Sequence, residues 1–472
     1  MATNNRKANL IKNTILLSIN RFISPLVAFL LLPVYTNNIS AEEYGMTDIL
    51  QSYAALLIPI ILIRLDIGMF RYIVERRGDK EAVSRIITNV LAVTVPLIVL
   101  VSAAMAVAII FNVIPFQIAT LFYFVSLIAN DLISALVRGI GKNALFAIAS
   151  TADIVFKLVF GVVFVACFKM GGFGLMLSLG LSSTISNLIS IINIRKNISI
   201  KRNYLSKPLK KELVKFSAPM IVEGISFWIV NTSDRTVISL ALGTAANGVY
   251  AVANKLSNLI NSLTTIFWMS WSEQASIAVE DKNYPSFVSE VFGSFLKIIV
   301  SVMALTISFV PLLFKIAVGP EFTEAKIYVP ILLIGLTFSA LSSFYGPVYL
   351  AFKKTKEIAF STFLASVINL VIDLASIWFI GIWAAVISTL VAYLFVFLYR
   401  AIDTRKCVKI VYDKKTMIIS LTLLATCTGL YYVGNAITFI ANIVLAVIMS
   451  VLLNYTLIKK GIGTIRKKLH RK

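Results

Sequence analysis

Apolar stretches that are nearly free of charged side chains recur along this entire sequence. Each is about 20 residues long, which is the length of helix that crosses a hydrocarbon core about 30 Å thick. Inside lipid each stretch must satisfy its own backbone N–H and C=O groups, so we expect helices. With 58% apolar residues, 14% charged residues and a mean hydropathy of +0.89, the sequence predicts an all-α polytopic membrane protein rather than a soluble globular chain.

Hydropathy predicts fourteen spanning helices, with twelve as the alternative count. The higher count requires that the sequence FIGIW, residues 379–383, is a true reversal between two helices. The predicted windows are 11–33, 47–72, 86–111, 116–138, 145–168, 172–194, 213–241, 246–272, 291–317, 327–352, 358–380, 382–402, 416–436 and 438–458.

Lys and Arg residues collect in the amino-terminal segment and in every second loop of this map. Because cytoplasmic loops are enriched in these residues, both chain ends are predicted to be cytoplasmic, which requires an even number of helices. The net charge of +22 then reflects topology and attraction to anionic lipid headgroups, and no nucleic-acid partner is expected. The three cysteines, Cys167, Cys407 and Cys427, are scattered and suggest neither a disulfide framework nor a metal site.

Two halves of the chain match in the order of their loops. SAEEYGMTDIL from residue 40 and GTAANGVYAVA from residue 243 are turns of equal length that contain Gly45 and Gly248, at an offset of 203 (248 minus 45). NIRKNI from 193 and DTRKCV from 403 end the sixth and twelfth helices. These matches predict a parallel repeat of two six-helix bundles, residues 1–200 and 201–410, followed by a helix pair and basic tail over 411–472.

Three segments carry a resemblance to a known family: LLLPVYTNNISAEEYGMTDIL (30–50), LDIGMFRYIVERRGDKE (65–81) and RGIGKNALFAIAS from 138. The sequence resembles polysaccharide flippases of the Wzx type, within the superfamily of multidrug, oligosaccharidyl-lipid and polysaccharide exporters. This resemblance implies two six-helix bundles in a V around a central cavity. The last two helices resemble the extra pair of lipid II flippases, which offers a groove for a polyprenyl tail.

Several cations lie inside predicted spans, where a charge costs at least about 2.5 to 3.5 kcal/mol and therefore suggests function. Arg21, beside Asn20, lies deep in the first helix, and Lys255 lies in the eighth beside Asn254. Arg64 lies nearer the cytoplasmic end of the second helix and could instead extend to the interface. We expect these five side chains to bind the headgroup and diphosphate of a cargo.

The acidic residues of the spans are candidates for a coupling-ion site or for structural pairing. On a continuous helix, Asp66 would point away from Arg64, because successive residues turn by about 100°. Asp153 precedes Lys157 by four residues, the favoured order for an intrahelical ion pair. Glu223, predicted at mid-depth, and Asp373 have no cation near them in sequence and are the favoured coupling residues; Asp131 completes the set.

The resemblance implies a flippase of the bacterial cytoplasmic membrane that carries a polyprenyl-diphosphate-linked oligosaccharide outward by alternating access. Its expected partners are that glycan, membrane lipids and other polysaccharide-assembly proteins, with the chain itself a monomer. No cofactor is expected, and coupling to H⁺ or Na⁺ stays open. A multidrug exporter of the same fold is the alternative, although cation export favours an acidic cavity and these cations indicate a basic one. A membrane-embedded glycan polymerase or transferase is disfavoured, since the sole histidine, His470, lies in the basic tail.

Overall fold

The computed structural model describes residues 23–469, apart from a few side chains among them, and these residues form helices without any strand. The chain divides into two compact units, the first ending at Ala251 and the second beginning at Val252. This division falls inside one long helix, Thr244–Ala278. The predicted domain boundaries near residues 200 and 410 follow the sequence repeat instead and stay a prediction.

The first unit contains nine helices among its described residues, before the long helix begins. They are α1 (Ile23–Asn38), α2 (Ala41–Ile61), α3 (Leu65–Glu75), α4 (Lys80–Ile110), α5 (Gln117–Gly139), α6 (Asn143–Phe160), α7 (Gly171–Ile194), α8 (Lys207–Ser217) and α9 (Met220–Leu242). A π-helical turn, Gly161–Cys167, extends α6. Ser40 and Asp79 cap the amino ends of α2 and α4 by accepting hydrogen bonds from backbone N–H groups, as short polar side chains do at helix starts.

The second unit contains most of the long helix, α10 (Thr244–Ala278). The helices that follow are mostly of spanning length. They are α11 (Tyr284–Ala317), α12 (Val329–Ala351), α13 (Thr355–Ile380), α14 (Trp383–Asp403), α15 (Lys414–Val433) and α16 (Ala436–Leu469). The FIGIW segment is a true reversal, because α13 ends at Ile380, α14 begins at Trp383, and Asn369 Nδ2 of α13 donates to Ser388 Oγ of α14 at 3.1 Å.

Eleven helices of the described residues are long and apolar enough to cross a membrane. The helix Ile23–Asn38 is apolar but shorter, within the part that the structure describes. The all-α polytopic class is therefore confirmed, whereas the count of fourteen is not. Helices do occupy the windows predicted at 213–241 and 246–272, in α9 and α10.

The helix predicted over residues 47–72 is interrupted between α2 and α3. Ile63 and Arg64 both have φ of +51°, a left-handed conformation that is strained for a β-branched residue and costs about 1 to 3 kcal/mol per position. The N–H of Arg64 donates to the carbonyl of Pro59 at 3.0 Å. Arg64 and Asp66 therefore lie at a break, and the spacing rule of a continuous helix does not apply to them.

The helix predicted over residues 213–241 is also two helices, α8 and α9. Pro219 precedes the first residue of α9, and its missing N–H and ring prevent α8 from continuing. Glu223 therefore falls in the first turn of α9 rather than inside a continuous helix, and its depth in the membrane stays a prediction.

The two turns that match in sequence contact each other. A Cβ atom on Gly45 would lie 1.8 Å from the carbonyl oxygen of Thr244, and one on Gly248 would lie 2.0 Å from that of Ala41. Ala41 and Thr244 are themselves counterparts at the same offset of 203 (244 minus 41). The contact is thus reciprocal, and glycine is needed on both sides because the backbones approach too closely for a side chain.

Candidate functional site

A cavity of about 440 Å³ lies within the first unit, where α3, α5 and α6 face one another. Most of its lining side chains are polar or charged, although α5 and α6 are long and apolar enough to span a membrane. They are Arg64, Asp66, Ile67, Phe70, Asn130, Asp131, Ser134, Ala135, Arg138, Phe146 and Ser150. The volume falls in the range of about 300 to 1,000 Å³ that is typical of small-ligand sites.

The break before α3 brings Arg64 and Asp66 to this same cavity. The prediction that they point in nearly opposite directions is wrong, because it assumed a continuous helix. Arg64 precedes α3 in a left-handed conformation, and Asp66 lies in the first turn of α3. A carboxylate in the first turn of a helix also interacts favourably with the helix dipole. The break thus places one donor and one acceptor side by side on the cavity wall.

Four charged side chains line the cavity, and Arg64 interacts electrostatically with Asp66 without a direct ion pair between them. Within residues 23–469, the ion pairs closer than 4 Å include none of Arg64, Asp66, Asp131 and Arg138. Among the same described residues, Arg64 Nε and Asp66 Oδ1 are buried without a hydrogen-bond partner. Asp66 and Arg64 are close enough to act electrostatically on Asp131. Charges at membrane depth are costly unless they face water or a ligand, which makes this cavity the candidate site.

Arg138 is held in place at the end of α5 by aromatic rings. Its guanidinium carbon lies 5.2 Å from the ring centre of Phe70 and 5.5 Å from that of Phe146, within the range of cation–π attraction. Arg77 fixes the same helix end, because its Nε donates to the carbonyl of Gly139 at 2.6 Å and its Nη2 to that of Arg138 at 2.9 Å. The guanidinium of Arg138 is therefore oriented before any ligand arrives.

A polar stripe on α5 supplies the opposite wall, and sequence reasoning missed most of it. Asn130, Ser134 and Arg138 are spaced by four residues and so share one helix face. Ser134 Oγ donates to Asn130 Oδ1 at 3.5 Å, and Asn130 Nδ2 donates to Asn187 Oδ1 of α7 at 3.3 Å. The spacing is a usable signal, but Arg138 stands next to a loop, where membrane topology alone accounts for a cation.

Asp153 forms the intrahelical pair that its spacing predicts. Lys157 Nζ lies 3.1 Å from Asp153 Oδ2, and Ser183 Oγ of α7 donates to Asp153 Oδ1 at 3.3 Å. Neither Asp153 nor Lys157 lines the cavity. These contacts join α6 to α7 and give Asp153 a structural role.

A second ion pair, between Arg235 and Asp48, joins α2 to α9. Arg235 Nη1 lies 3.2 Å from Asp48 Oδ1, and Asn247 Nδ2 donates to the carbonyl of Gly45 at 2.9 Å. Asp48 is buried. The pair secures the end of α2 where Gly45 and Gly248 meet, so Arg235 is explained by packing within the first unit.

The remaining predicted site residues lie elsewhere. Glu223 is exposed on α9, while Asp373 is fully buried on α13 in the second unit, one turn after Asn369. Asn254 and Lys255 are half-buried on α10, also in the second unit. Asn20 and Arg21 lie outside the described residues. The structure thus brings Arg64 and Asp66 together with Asp131, and the roles of the others stay predictions.

Metal binding finds no support in the first or the second unit. Residues 23–469 contain no group of three or more His, Cys, Asp or Glu side chains that could hold a metal ion. The cavity instead offers guanidinium donors, carboxylate acceptors, and amide and hydroxyl groups that do both. These groups suit the binding of a polar organic molecule.

Many apolar helices of spanning length, with a charged cavity among them, define a multi-pass membrane protein. The chain belongs to the polysaccharide biosynthesis protein family, which matches it over residues 10–271. This confirms the resemblance drawn from the sequence at the level of the family. No curated protein matches the chain.

Solved structures confirm the fold. The lipid II flippase MurJ, in an inward closed conformation, matches with a TM-score of 0.72 and 15% identity over 95% of this chain and 100% of that one. An inward-facing multidrug resistance MATE family transporter of the MOP superfamily matches with a TM-score of 0.64 and 14% identity over 83% and 98%. A MOP superfamily transporter from Pyrococcus furiosus, described as having a binding pocket of reverse polarity, matches with a TM-score of 0.55 and 16% identity over 84% and 96%.

Proposed function

We propose that this protein carries a polyprenyl-diphosphate-linked oligosaccharide from the cytoplasmic to the outer leaflet by alternating access, for surface polysaccharide biosynthesis. The observation that supports this most directly is the charged cavity inside the spanning helices of a polysaccharide biosynthesis family member. A glycan headgroup cannot cross lipid unaided, because each polar group that loses its hydrogen bonds to water costs several kcal/mol, about 2 to 7. The cavity side chains replace those bonds while the polyprenyl tail stays in the bilayer.

Cations in the spans would bind the diphosphate of this cargo. Guanidinium and ammonium groups form strong charge-assisted hydrogen bonds with phosphate oxygens, and arginine does so with two bonds at once. Arg64 brings a guanidinium group to the cavity wall, where it donates to the polar headgroup of the cargo. Arg21 and Lys255 are the other predicted donors, with Asn20 and Asn254 beside them.

An ion gradient would return the empty transporter, and H⁺ and Na⁺ are the candidate coupling ions. Asp373 is the favoured carboxylate in this proposal, because it is fully buried on a spanning helix. Glu223 is less suited than the sequence suggested, since it is exposed in the first turn of α9. No organic cofactor enters the proposed cycle, and the chain acts as a monomer beside other polysaccharide-assembly proteins in the bacterial cytoplasmic membrane.

Reconstitution tests the proposal directly. The full chain is placed in liposomes with a fluorescent polyprenyl-diphosphate-linked oligosaccharide, and transfer between leaflets is measured by loss of fluorescence to an impermeant quencher. We expect transfer by the wild type and at least a tenfold slower rate for Arg64→Gln and Lys255→Gln, since a lost charge-assisted hydrogen bond is worth about 1.5 to 3 kcal/mol. Full transfer by both variants would contradict the cationic site.

Arg71→Gln is the matched control, because Arg71 lies on α3 in an exposed pair with Glu75 at 2.8 Å, away from the cavity. Its transfer rate should equal that of the wild type.

Export of drug cations is the second candidate, and two observations favour it: the MATE transporter fold match and the cavity carboxylates Asp66 and Asp131. The cavity is less basic than the sequence suggested, since two carboxylates accompany two guanidinium groups. The same liposomes loaded with ethidium separate the two functions. Ethidium efflux without glycan transfer would establish the exporter instead.

A further inference from the structure

The charge balance of the cavity in the first unit is poorly suited to a diphosphate. Arg64 and Arg138 bring two positive charges to its wall, and Asp66 and Asp131 bring two negative charges. A diphosphate placed here would gain from the arginines and be repelled by both carboxylates at short range. Like charges brought together without a compensating partner are strongly unfavourable, and sites use them to reject a ligand. The wall as a whole favours a ligand without net charge.

The hydrogen-bonding groups of the wall point to a ligand that both donates and accepts. Carboxylates accept hydrogen bonds, guanidinium groups donate them, and the Asn130 amide and Ser134 hydroxyl can do both. An ionised diphosphate offers acceptors alone and so could not donate a hydrogen bond to Asp66 or Asp131. Sugar hydroxyls donate to a carboxylate through O–H and accept from a guanidinium through the same oxygen. Neighbouring hydroxyls of one sugar ring match alternating acidic and basic side chains.

The wall already contains unpaired groups of both kinds. Among the described residues, Arg64 Nε lacks an acceptor and Asp66 Oδ1 lacks a donor, although both atoms are buried. Arg138 is oriented by Phe70 and Phe146 without a carboxylate partner within 4 Å in residues 23–469. Binding energy is greatest where the protein has fixed its groups in advance, because little further ordering is then required.

We infer that this cavity is a subsite for a neutral sugar of the lipid-linked cargo, whose hydroxyls donate to Asp66 and Asp131 and accept from Arg64 and Arg138. The inference rests on the proposed function, because it assigns one part of the same cargo. The sequence alone predicts one set of side chains for both the sugar headgroup and the diphosphate. Here the sugar is recognised within the first unit, and the diphosphate is bound by cations outside this cavity. Arg64 then donates to a sugar oxygen rather than to phosphate.

Binding of defined lipids to the full chain in nanodiscs tests the assignment. The probes are polyprenyl diphosphate without sugar and the same lipid carrying N-acetylglucosamine, glucose or galactose, with affinities measured by native mass spectrometry or thermophoresis. The wild type should bind at least one sugar-bearing lipid about tenfold more tightly than the bare lipid. Asp66→Asn and Asp131→Asn should weaken binding of that sugar-bearing lipid about tenfold and leave bare-lipid affinity unchanged.

Glu75→Gln is the matched control, because it removes one carboxylate from α3 at an exposed position outside the cavity. It should bind every probe like the wild type. Thermal unfolding of each variant confirms that it is folded, and the Asn substitutions keep the size of the side chain for that reason. Arg138→Gln gives an independent readout on α5 and should also weaken the sugar-bearing lipid selectively.

The change in affinity for the bare lipid distinguishes the outcomes. If Asp66→Asn and Asp131→Asn tighten binding of the bare lipid, the cavity holds the diphosphate and the inference is overturned. It is equally overturned if the wild type binds all four lipids alike or if the variants change nothing. If the wild type binds none of them, the proposed function itself fails, whereas equal binding of all four leaves that function standing.

Discussion

Gly45 shows at the scale of one residue how tightly α2 meets the start of α10. A methyl group there would lie 1.8 Å from the Thr244 carbonyl oxygen and 2.6 Å from the Gly248 nitrogen, and both are backbone atoms that cannot rotate away. Overpacking of this kind costs about 1 to 3 kcal/mol. We expect Gly45→Ala to lower the melting temperature of the detergent-solubilised protein, measured by intrinsic fluorescence.

Gly429→Ala is the natural comparison, since no atom lies within 4 Å of a Cβ built at that position in α15. There alanine should raise stability slightly, by about 0.4 to 1 kcal/mol, because it restricts the unfolded chain. Equal melting temperatures for Gly45→Ala and Gly429→Ala would show that the close backbone approach is absent in solution.

Single residues also show what the sequence could and could not predict about the site. Charge inside an apolar run identified Arg64 and Asp66 as unusual, and the structure places both on one cavity wall. Their shared orientation could not be predicted, because two consecutive left-handed residues leave no mark in a hydropathy pattern. Arg138 was missed for another reason: a cation at a helix end is what membrane topology already requires.

At the scale of elements, α8 packs on α3 through a small residue. Ser217 is fully buried, and its Oγ would lie 2.1 Å from a Cβ built on Gly68. Tyr72 of α3 donates from its hydroxyl to Glu212 Oε1 at 2.9 Å, which holds the two helices together. We expect Ser217→Leu to push α8 away from α3. Hydrogen exchange measured by mass spectrometry should then be about tenfold faster over Lys207–Ser217.

Lys211→Leu provides the control for that experiment, because it adds a comparable apolar side chain at an exposed position of α8. Its exchange should match that of the wild type. Slow exchange in both variants would mean that the Gly68 contact does not hold α8.

The elements also show which sequence signals are sufficient for prediction. Long apolar windows located the spanning helices well, since α5 and α7 begin and end within one residue of their predicted bounds. Breaks inside windows were missed at α2 and α3 and at α8 and α9. Pro219 is a readable signal for the second break, whereas residues 62–64 at the first break include neither Pro nor Gly.

For the whole molecule, charge distribution predicts a definite orientation. Lys80 begins α4 and should be cytoplasmic, whereas Lys169, just before α7, should be external. Both are exposed. In a background without Cys167, Cys407 and Cys427, an impermeant maleimide added to intact cells should label Lys169→Cys and leave Lys80→Cys unlabelled. Labelling of both after permeabilisation is the control, and the reverse pattern would invert the topology.

At this scale, hydropathy is nearly sufficient to predict the polytopic class, because lipid allows few backbone arrangements. The cargo is harder to predict, since it depends on which side chains of separate helices meet at one cavity. Asp66 and Asp131 are 65 residues apart (131 minus 66), and nothing local in the sequence indicates that they share a wall.

The reciprocal contact of Gly45 and Gly248 has a consequence for ancestry. In a symmetric dimer, each residue that touches a partner position is touched by it in return. Gly45 meets Thr244 and Gly248 meets Ala41, which is the pattern left when such a dimer becomes one polypeptide by gene duplication and fusion. A single ancestral glycine would then have met its own copy across a two-fold axis. Each of its two descendants would then constrain the other. Neither glycine could be replaced by a residue with a side chain while the two turns remain in contact.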